Sequence, residues 1–79
     1  MKIIKLTNKD RFILDKSLDV KTGITTWEGS FWKKINLRRP KEGVKLVIGN
    51  TLWGFAFLVH VNSETGEVHF QGDGKLYEQ

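Results

Sequence analysis

Apolar residues occur along the chain in short runs, separated by polar or glycine-containing turns roughly every eight to twelve residues. Several runs alternate apolar and polar positions, which is the pattern of a strand with one buried face. The runs cover residues 3–6, 11–15, 18–20, 24–28, 44–48, 52–61, 67–71 and 75–77. The pattern predicts a mainly β chain with roughly seven short strands.

Turn residues predict how neighbouring strands connect. The polar run 7–10 indicates a hairpin between residues 3–6 and 11–15. Thr-Gly pairs at 22–23 and 65–66 predict hairpin turns closed by a left-handed glycine. Residues 44–61 are predicted to form two buried strands with a tight connection, because their β-branched and aromatic content favours strands over a membrane span. Gly54 is the expected position of a bulge or bend.

Residues 30–39 fit two local structures. In a helix, Ser30 would be the N-cap, and Phe31 and Ile35 would share a face. In a strand, Phe31 and Ile35 would share the apolar face, and Trp32 would lie on the polar face. We favour the strand, because a helix of about ten residues is only marginally stable alone.

Length and strand number together define the fold class. The 79 residues are enough for one domain, which we expect to cover residues 1–79. Many short strands in so small a chain predict a small barrel or a strongly curled antiparallel sheet, of the SH3 or OB size class. A short helix near residues 30–38 is the alternative element.

The net charge of +4 conceals an uneven distribution. Residues 1–45 contain twelve basic and five acidic side chains, whereas residues 46–79 contain one basic and four acidic ones. The densest basic segment is 33–45, with six positive charges against Glu42 alone. Such a segment attracts phosphate or an acidic protein surface. It also fits the simpler interpretation of a solvated surface.

Aromatic residues next to this segment indicate a candidate binding site. Proteins that bind single strands combine cationic grooves with aromatic side chains on which bases stack. We expect Trp27 and Trp53 to be core residues and Trp32 to contact a ligand. The predicted residues for binding nucleic acid or a partner protein are Trp32, Lys33, Lys34, Arg38, Arg39 and Lys41.

Catalysis and metal binding find little support in the sequence. The chain has no cysteine, and no serine, histidine and carboxylate spacing indicates a catalytic constellation. If Ser63 lies opposite Glu67, His60 and His69 fall on opposite faces of a hairpin, which argues against a shared metal. We therefore expect no enzyme activity, no cofactor and no metal site.

Three functions remain in competition. The first is a small non-enzymatic domain that contacts nucleic acid through a basic, aromatic-flanked surface. The alternative is a stand-alone protein-interaction module or inhibitor, for example a phage-type anti-defence protein, that blocks a nucleic-acid-handling host complex. The third, ranked lower, is a small-molecule or nucleotide site at a barrel mouth. The N-terminus does not resemble a signal sequence, and we expect a cytoplasmic location without membrane association.

Overall fold

In a computed structural model, which describes residues 2–35 and 43–78, every regular element is a β-strand. The mainly β prediction is therefore confirmed, with six strands in place of about seven. The strands are β1 (Lys2–Leu6), β2 (Phe12–Leu18), β3 (Thr25–Phe31), β4 (Gly43–Ile48), β5 (Leu52–Val61) and β6 (Val68–Glu78).

The six strands form one open, curled sheet in the order β1-β4-β5-β6-β3-β2. All neighbouring pairs are antiparallel except β1 and β4, which are parallel. β1 and β2 are the two edge strands, although only residues 7–11 connect them. The predicted hairpin between them is wrong, because the apolar pattern identifies strands but not their partners. The short connection forces the sheet to curl so that its two edges approach at this end.

The concave face of the sheet holds the core. Alternating residues of β1, β3, β4, β5 and β6 point inward, as the period of two requires. The buried apolar side chains are Ile4, Leu6, Trp27, Phe31, Val44, Leu46, Ile48, Ala56, Leu58, Val68 and Phe70. Phe12, Leu14, Ile35, Leu52 and Leu76 pack against this core from its margin.

Trp27 fills the centre of the concave face, as expected for a core tryptophan. Its ring lies against β5 and β6 at two positions without side chains, Gly54 and Gly72. A Cβ atom at Gly72 would lie 2.3 Å from the indole Nε1, closer than atoms can pack. The Nε1–H donates a hydrogen bond to the carbonyl of Gly74 at 3.0 Å, so the buried donor is satisfied.

Both predicted Thr-Gly turns are confirmed, and they share one set of hydrogen bonds. Gly23 and Gly66 have φ values of 71° and 79°. The side chains of Asp19 and Asn62 cap the turns by accepting from backbone N–H groups two and three residues later. In each turn the threonine hydroxyl then accepts the N–H two residues further along.

The register of the β5–β6 hairpin differs from the predicted one. Asn62 N–H donates to the carbonyl of Glu67 at 2.8 Å, so the turn is offset by one residue. Val59 is an extra residue in β5, since Leu58 lies opposite Phe70 and His60 lies opposite His69. The two histidines are therefore direct cross-strand neighbours, and their predicted placement on opposite faces is wrong.

The second irregularity lies beside Gly54, where a bulge or bend was predicted. Gly54 lies opposite Leu76, but the next residue, Phe55, lies opposite Asp73. The extra residues between these partners belong to β6, and one of them is Gly74, with φ of 85°. β6 consequently bends without ending, so residues 75–77 are not the separate terminal strand that the sequence indicated.

The segment after Glu28 is neither the predicted long strand nor the alternative helix over its described part. Ser30 and Phe31 complete β3, and residues 32–35 form no regular element. Residues 36–42, which include the remainder of this segment, lie outside the described residues.

Candidate functional site

Trp32, the central residue of the predicted site, is half-buried beside the turn before β2. Its backbone N–H donates to the carbonyl of Arg11 at 3.1 Å. The guanidinium carbon of Arg11 lies 4.3 Å from the centre of the indole ring, a cation–π contact. One face of the ring is therefore occupied by the protein itself, and Trp32 does not lie on the polar face of a strand as predicted.

Lys33 is occupied by contacts that hold the chain together. Its Nζ donates to the carbonyl of Lys5 at 2.8 Å and lies 3.5 Å from Oδ2 of Asp10. The same carboxylate accepts the backbone N–H of Thr7 at 2.9 Å. This hydrogen bond, assisted by Lys33, lowers the pKa of Asp10. Lys33 thus links the segment after β3 to the end of β1.

The other predicted site residues are only partly placed. Lys34 is exposed, next to Lys33 and away from the core. Arg38, Arg39 and Lys41 lie outside the described residues. Of the predicted set, Lys33 and Lys34 line one concavity beside β1, and Trp32 and Lys33 are engaged by contacts within the protein.

A different cluster of aromatic side chains lies on the convex face. Residues at odd positions of β5 point outward, since their neighbours Gly54, Ala56 and Leu58 are buried. We call Trp53, Phe55 and Phe57 of β5, together with Tyr77 of β6, the outer aromatic stripe. Phe55, Phe57 and Tyr77 are 37%, 41% and 42% exposed. Trp53 is half-buried on this face, so its predicted place in the core is wrong.

Contacts between neighbouring side chains fix the rings at the Trp53 end of the stripe. Trp53 stacks on Tyr77 with centroids 4.4 Å apart and planes inclined by 21°. Phe55 meets Trp53 edge-on at 5.8 Å and 87°. The Nζ of Lys45 lies 4.7 Å from the centre of the Trp53 ring. Phe57 has no such aromatic partner among the described residues, and it is directly opposite Gly43 and Gln71.

Charges of opposite sign flank the stripe. On the β4 and β1 side, Lys45 lies opposite Phe55, and Lys5 is two strands away from Trp53 in the same row. On the β6 and β3 side, Asp73 lies opposite Phe55, and Glu28 pairs with Gln71 beside Phe57. A ligand lying across the stripe therefore meets positive charge at one margin and negative charge at the other.

The stripe was missed at the level of sequence because three aromatic residues in a central strand resemble a core. The sequence feature that indicates the stripe is the small size of the residues between these aromatic ones. Gly54 has no side chain because Trp27 of β3 fills the space above it. From Trp53 to Phe57 the smaller residues therefore face inward and the larger ones outward, the reverse of the usual hydrophobic pattern.

The two histidines lie on the same convex face, near the hairpin turn. Nδ1 of His69 is 3.2 Å from the hydroxyl of Ser30, and its Nε2 is 4.0 Å from a carboxylate oxygen of Glu28. His60 lies across from His69. Within residues 2–35 and 43–78, however, no three His, Asp or Glu side chains converge as metal ligands would.

Comparison with known protein families, curated proteins and solved structures finds no match. No helix among the described residues is long and apolar enough to cross a membrane. The fold and the site thus define only a class: an all-β protein with one open, curled six-stranded sheet and an exposed aromatic stripe.

Proposed function

We propose that the protein is a small non-enzymatic domain that binds single-stranded nucleic acid on the outer aromatic stripe. The observation that carries this proposal is the exposure of Phe55 and Phe57 on one face, next to Lys45. We also propose that it acts in the cytoplasm, where single-stranded RNA is abundant.

Phe55 and Phe57 offer stacking surfaces for bases. Residues two apart in a strand are separated by about 6.6 Å, and both side chains point the same way. An unstacked single strand can place successive bases on two such rings, and stacking does not depend on base identity. Binding with little sequence preference is the expected result.

Electrostatics would orient the strand on this surface. Phosphates gain free energy next to Lys45 and Lys5, and they are repelled by Asp73 and Glu28. The sugar–phosphate backbone is therefore expected to run along the β1 and β4 side of the stripe. Lys34 and the basic residues at 38, 39 and 41 remain predicted contributors of positive charge.

Fluorescence anisotropy with labelled oligothymidine and oligouridine tests the proposal. We expect binding that weakens steeply between about 50 and 200 mM salt, because phosphate contacts release counterions. The double variant Phe55→Ala/Phe57→Ala should bind at least about tenfold more weakly, since each stacked base contributes about 1–3 kcal/mol.

The matched control removes two exposed apolar side chains outside the stripe, Ile13 and Val20. The variant Ile13→Ala/Val20→Ala should bind like the natural protein. Equal loss of affinity in both double variants, or no binding by the folded protein at low salt, would contradict the proposal. Both variants should remain folded, as circular dichroism checks, because none of the four side chains belongs to the buried core.

A protein-interaction module or inhibitor is the second candidate, and the β2–β3 hairpin favours it. β3 pairs with β6 only from Glu28 to Phe31, so the rest of the hairpin is a two-stranded ribbon. Leu18, Val20 and Ile24 are all exposed near its tip. Co-purification of a stoichiometric protein that stays bound at about 0.5 M salt would favour this function.

A further inference from the structure

A second concave surface lies where β3 and β6 diverge. β6 follows β3 as far as Gln71, and beyond this residue it bends towards β5 while β3 continues with β2 alone. The divergence opens a cleft of about 450 Å³, within the range of small-ligand pockets. The cleft is lined by Lys16, Gly23, Ile24, Thr25, Thr26, Gly72, Gly74, Lys75 and Leu76.

The cleft is cationic because two lysines line it and the nearby carboxylates lie elsewhere. Lys16 and Lys75 line the cleft, whereas the adjacent Asp15 lines a different groove, with Glu28. Asp73 is opposite Phe55, on the convex face. Within the described part of the chain, neither lysine ammonium group forms a hydrogen bond or ion pair. Both ammonium groups are therefore available to a ligand.

Hydrogen-bonding groups and apolar side chains complete the lining. The hydroxyl of Thr25, on the same face of β3 as Trp27, has no partner among the described residues. Ile24 and Leu76 contribute apolar surface on the walls. The wall at Gly74 is fixed, since its carbonyl accepts the indole N–H of Trp27. Two cations, one hydroxyl and apolar walls suit an anion attached to a less polar group.

We propose that this cleft binds a phosphate monoester, either a nucleoside monophosphate or the 5′-phosphorylated end of a nucleic-acid strand. Lys16 and Lys75 contact the phosphate from the two sides, and the Thr25 hydroxyl donates a hydrogen bond to it. The nucleoside lies against Ile24 and Leu76. The site is on the concave side of the sheet, so it does not depend on the outer aromatic stripe.

NMR titration of the full chain with AMP tests this proposal. We expect shifts of backbone signals confined to residues around the cleft, Thr25, Thr26 and Gly72 among them. Adenosine, which lacks the phosphate, should bind at least about tenfold more weakly. The variant Lys16→Met/Lys75→Met should reduce AMP affinity at least about tenfold, because two charge contacts are lost while the alkyl stems remain.

The control variant Lys9→Met/Lys21→Met removes two exposed lysines elsewhere and should bind AMP normally. A paired titration with 5′-phosphorylated and 5′-hydroxyl oligothymidine separates the two sources. Binding by AMP indicates a free nucleotide, and binding by the phosphorylated oligonucleotide alone indicates a strand end. Either result supports the site if the variant Lys16→Met/Lys75→Met loses binding of that ligand.

Three outcomes would overturn the proposal: no shifts with AMP or the phosphorylated strand at millimolar concentration, equal affinity for adenosine, or unchanged affinity in Lys16→Met/Lys75→Met. The variant Phe55→Ala/Phe57→Ala is expected to bind AMP like the natural protein. The same set of variants therefore distinguishes failure of the proposed binding on the stripe from failure of the proposed binding in the cleft.

Discussion

Trp27 shows how one side chain determines the identity of several others. Its indole ring needs space on two neighbouring strands, and Gly54 and Gly72 provide it. The same requirement leaves no room for a side chain at Gly54, on the inner face of β5, while the aromatic residues beside it lie outside. The exposure of Phe55 and Phe57 is thus a consequence of where a tryptophan packs.

Replacement of Gly72 by alanine should destabilise the protein by about 1–3 kcal/mol, because the new methyl group would overlap the indole of Trp27. Urea denaturation monitored by Trp fluorescence measures this change. Gly43→Ala is the matched control, since a Cβ there meets only Phe57 at an ordinary 3.8 Å. Equal stability of the two variants would show that Trp27 does not pack against Gly72.

Acid sensitivity is expected at Asp10, whose lowered pKa reflects the Thr7 N–H hydrogen bond first and Lys33 second. A carboxylate with a lower pKa in the folded state than in the unfolded state stabilises the fold above the unfolded pKa. That contribution is lost as the pH falls below about 4 and through the lowered value. The variant Asp10→Ala should therefore show a shallower loss of stability in acid.

An NMR titration of the Asp10 carboxyl checks the physical cause. Its pKa should lie below that of an exposed aspartate and should rise only in part in Lys33→Met, because the Thr7 N–H remains. If the pKa of Asp10 returned fully to its ordinary value in Lys33→Met, the charge of Lys33 alone would account for the lowered pKa, contrary to this prediction.

At the scale of elements, β2 and β3 contain an unfavourable pair. Asp15 and Glu28 are direct cross-strand partners on the convex face. Like charges in this position destabilise a sheet, and opposite charges stabilise it. The pair weakens the hairpin close to where β3 leaves β6. From this point to the hairpin tip, β3 pairs with β2 alone.

Asp15→Lys should increase stability by about 0.2–1 kcal/mol, because it replaces repulsion of Glu28 by attraction. Thermal or urea denaturation at low salt is the measurement, and the gain should shrink at high salt. Ser17→Lys is the control, since its partner Thr26 is uncharged. A gain of the same size in the control would attribute the effect to net charge or strand propensity.

Local features of the sheet could be predicted from sequence. The two Thr-Gly turns and the β4–β5 pair depend on residues close together in the chain, where turn chemistry acts directly. The pairing of β1 with β4 was out of reach, because apolar alternation reports which face of a strand is buried and not which strand lies beside it. The extra residue at Val59 carries no sequence signal, yet it moves His60 from the face of Leu58 to the face of His69.

The candidate site was predicted less well, and the reasons are physical. A tryptophan next to lysines resembles a stacking platform, but Arg11 covers the ring of Trp32 and Asp10 engages Lys33. Both partners come from a turn some twenty residues earlier. Only the fold reveals that contact, and only the fold reveals that Phe55 and Phe57 are exposed.

At the scale of the whole molecule, the sheet separates two surfaces with different chemistry. The convex face presents aromatic rings between positive and negative margins. The concave side presents the core and, where β3 and β6 diverge, a cleft with two lysines. The formal charge of +4 is therefore a poor guide to binding, because the faces of individual strands decide which charges act together.

The parallel pairing of β1 with β4 has a consequence for synthesis on the ribosome. β1 leaves the exit tunnel ahead of β4, and its hydrogen-bonding partner is absent until residues 44–48 have followed it. During that interval the β2–β3 hairpin can close by itself, and β1 must wait with Ile4 and Leu6 exposed to water. Lys5, which lies between them in sequence and points to the opposite face, keeps the nascent segment hydrated and discourages its association with other chains.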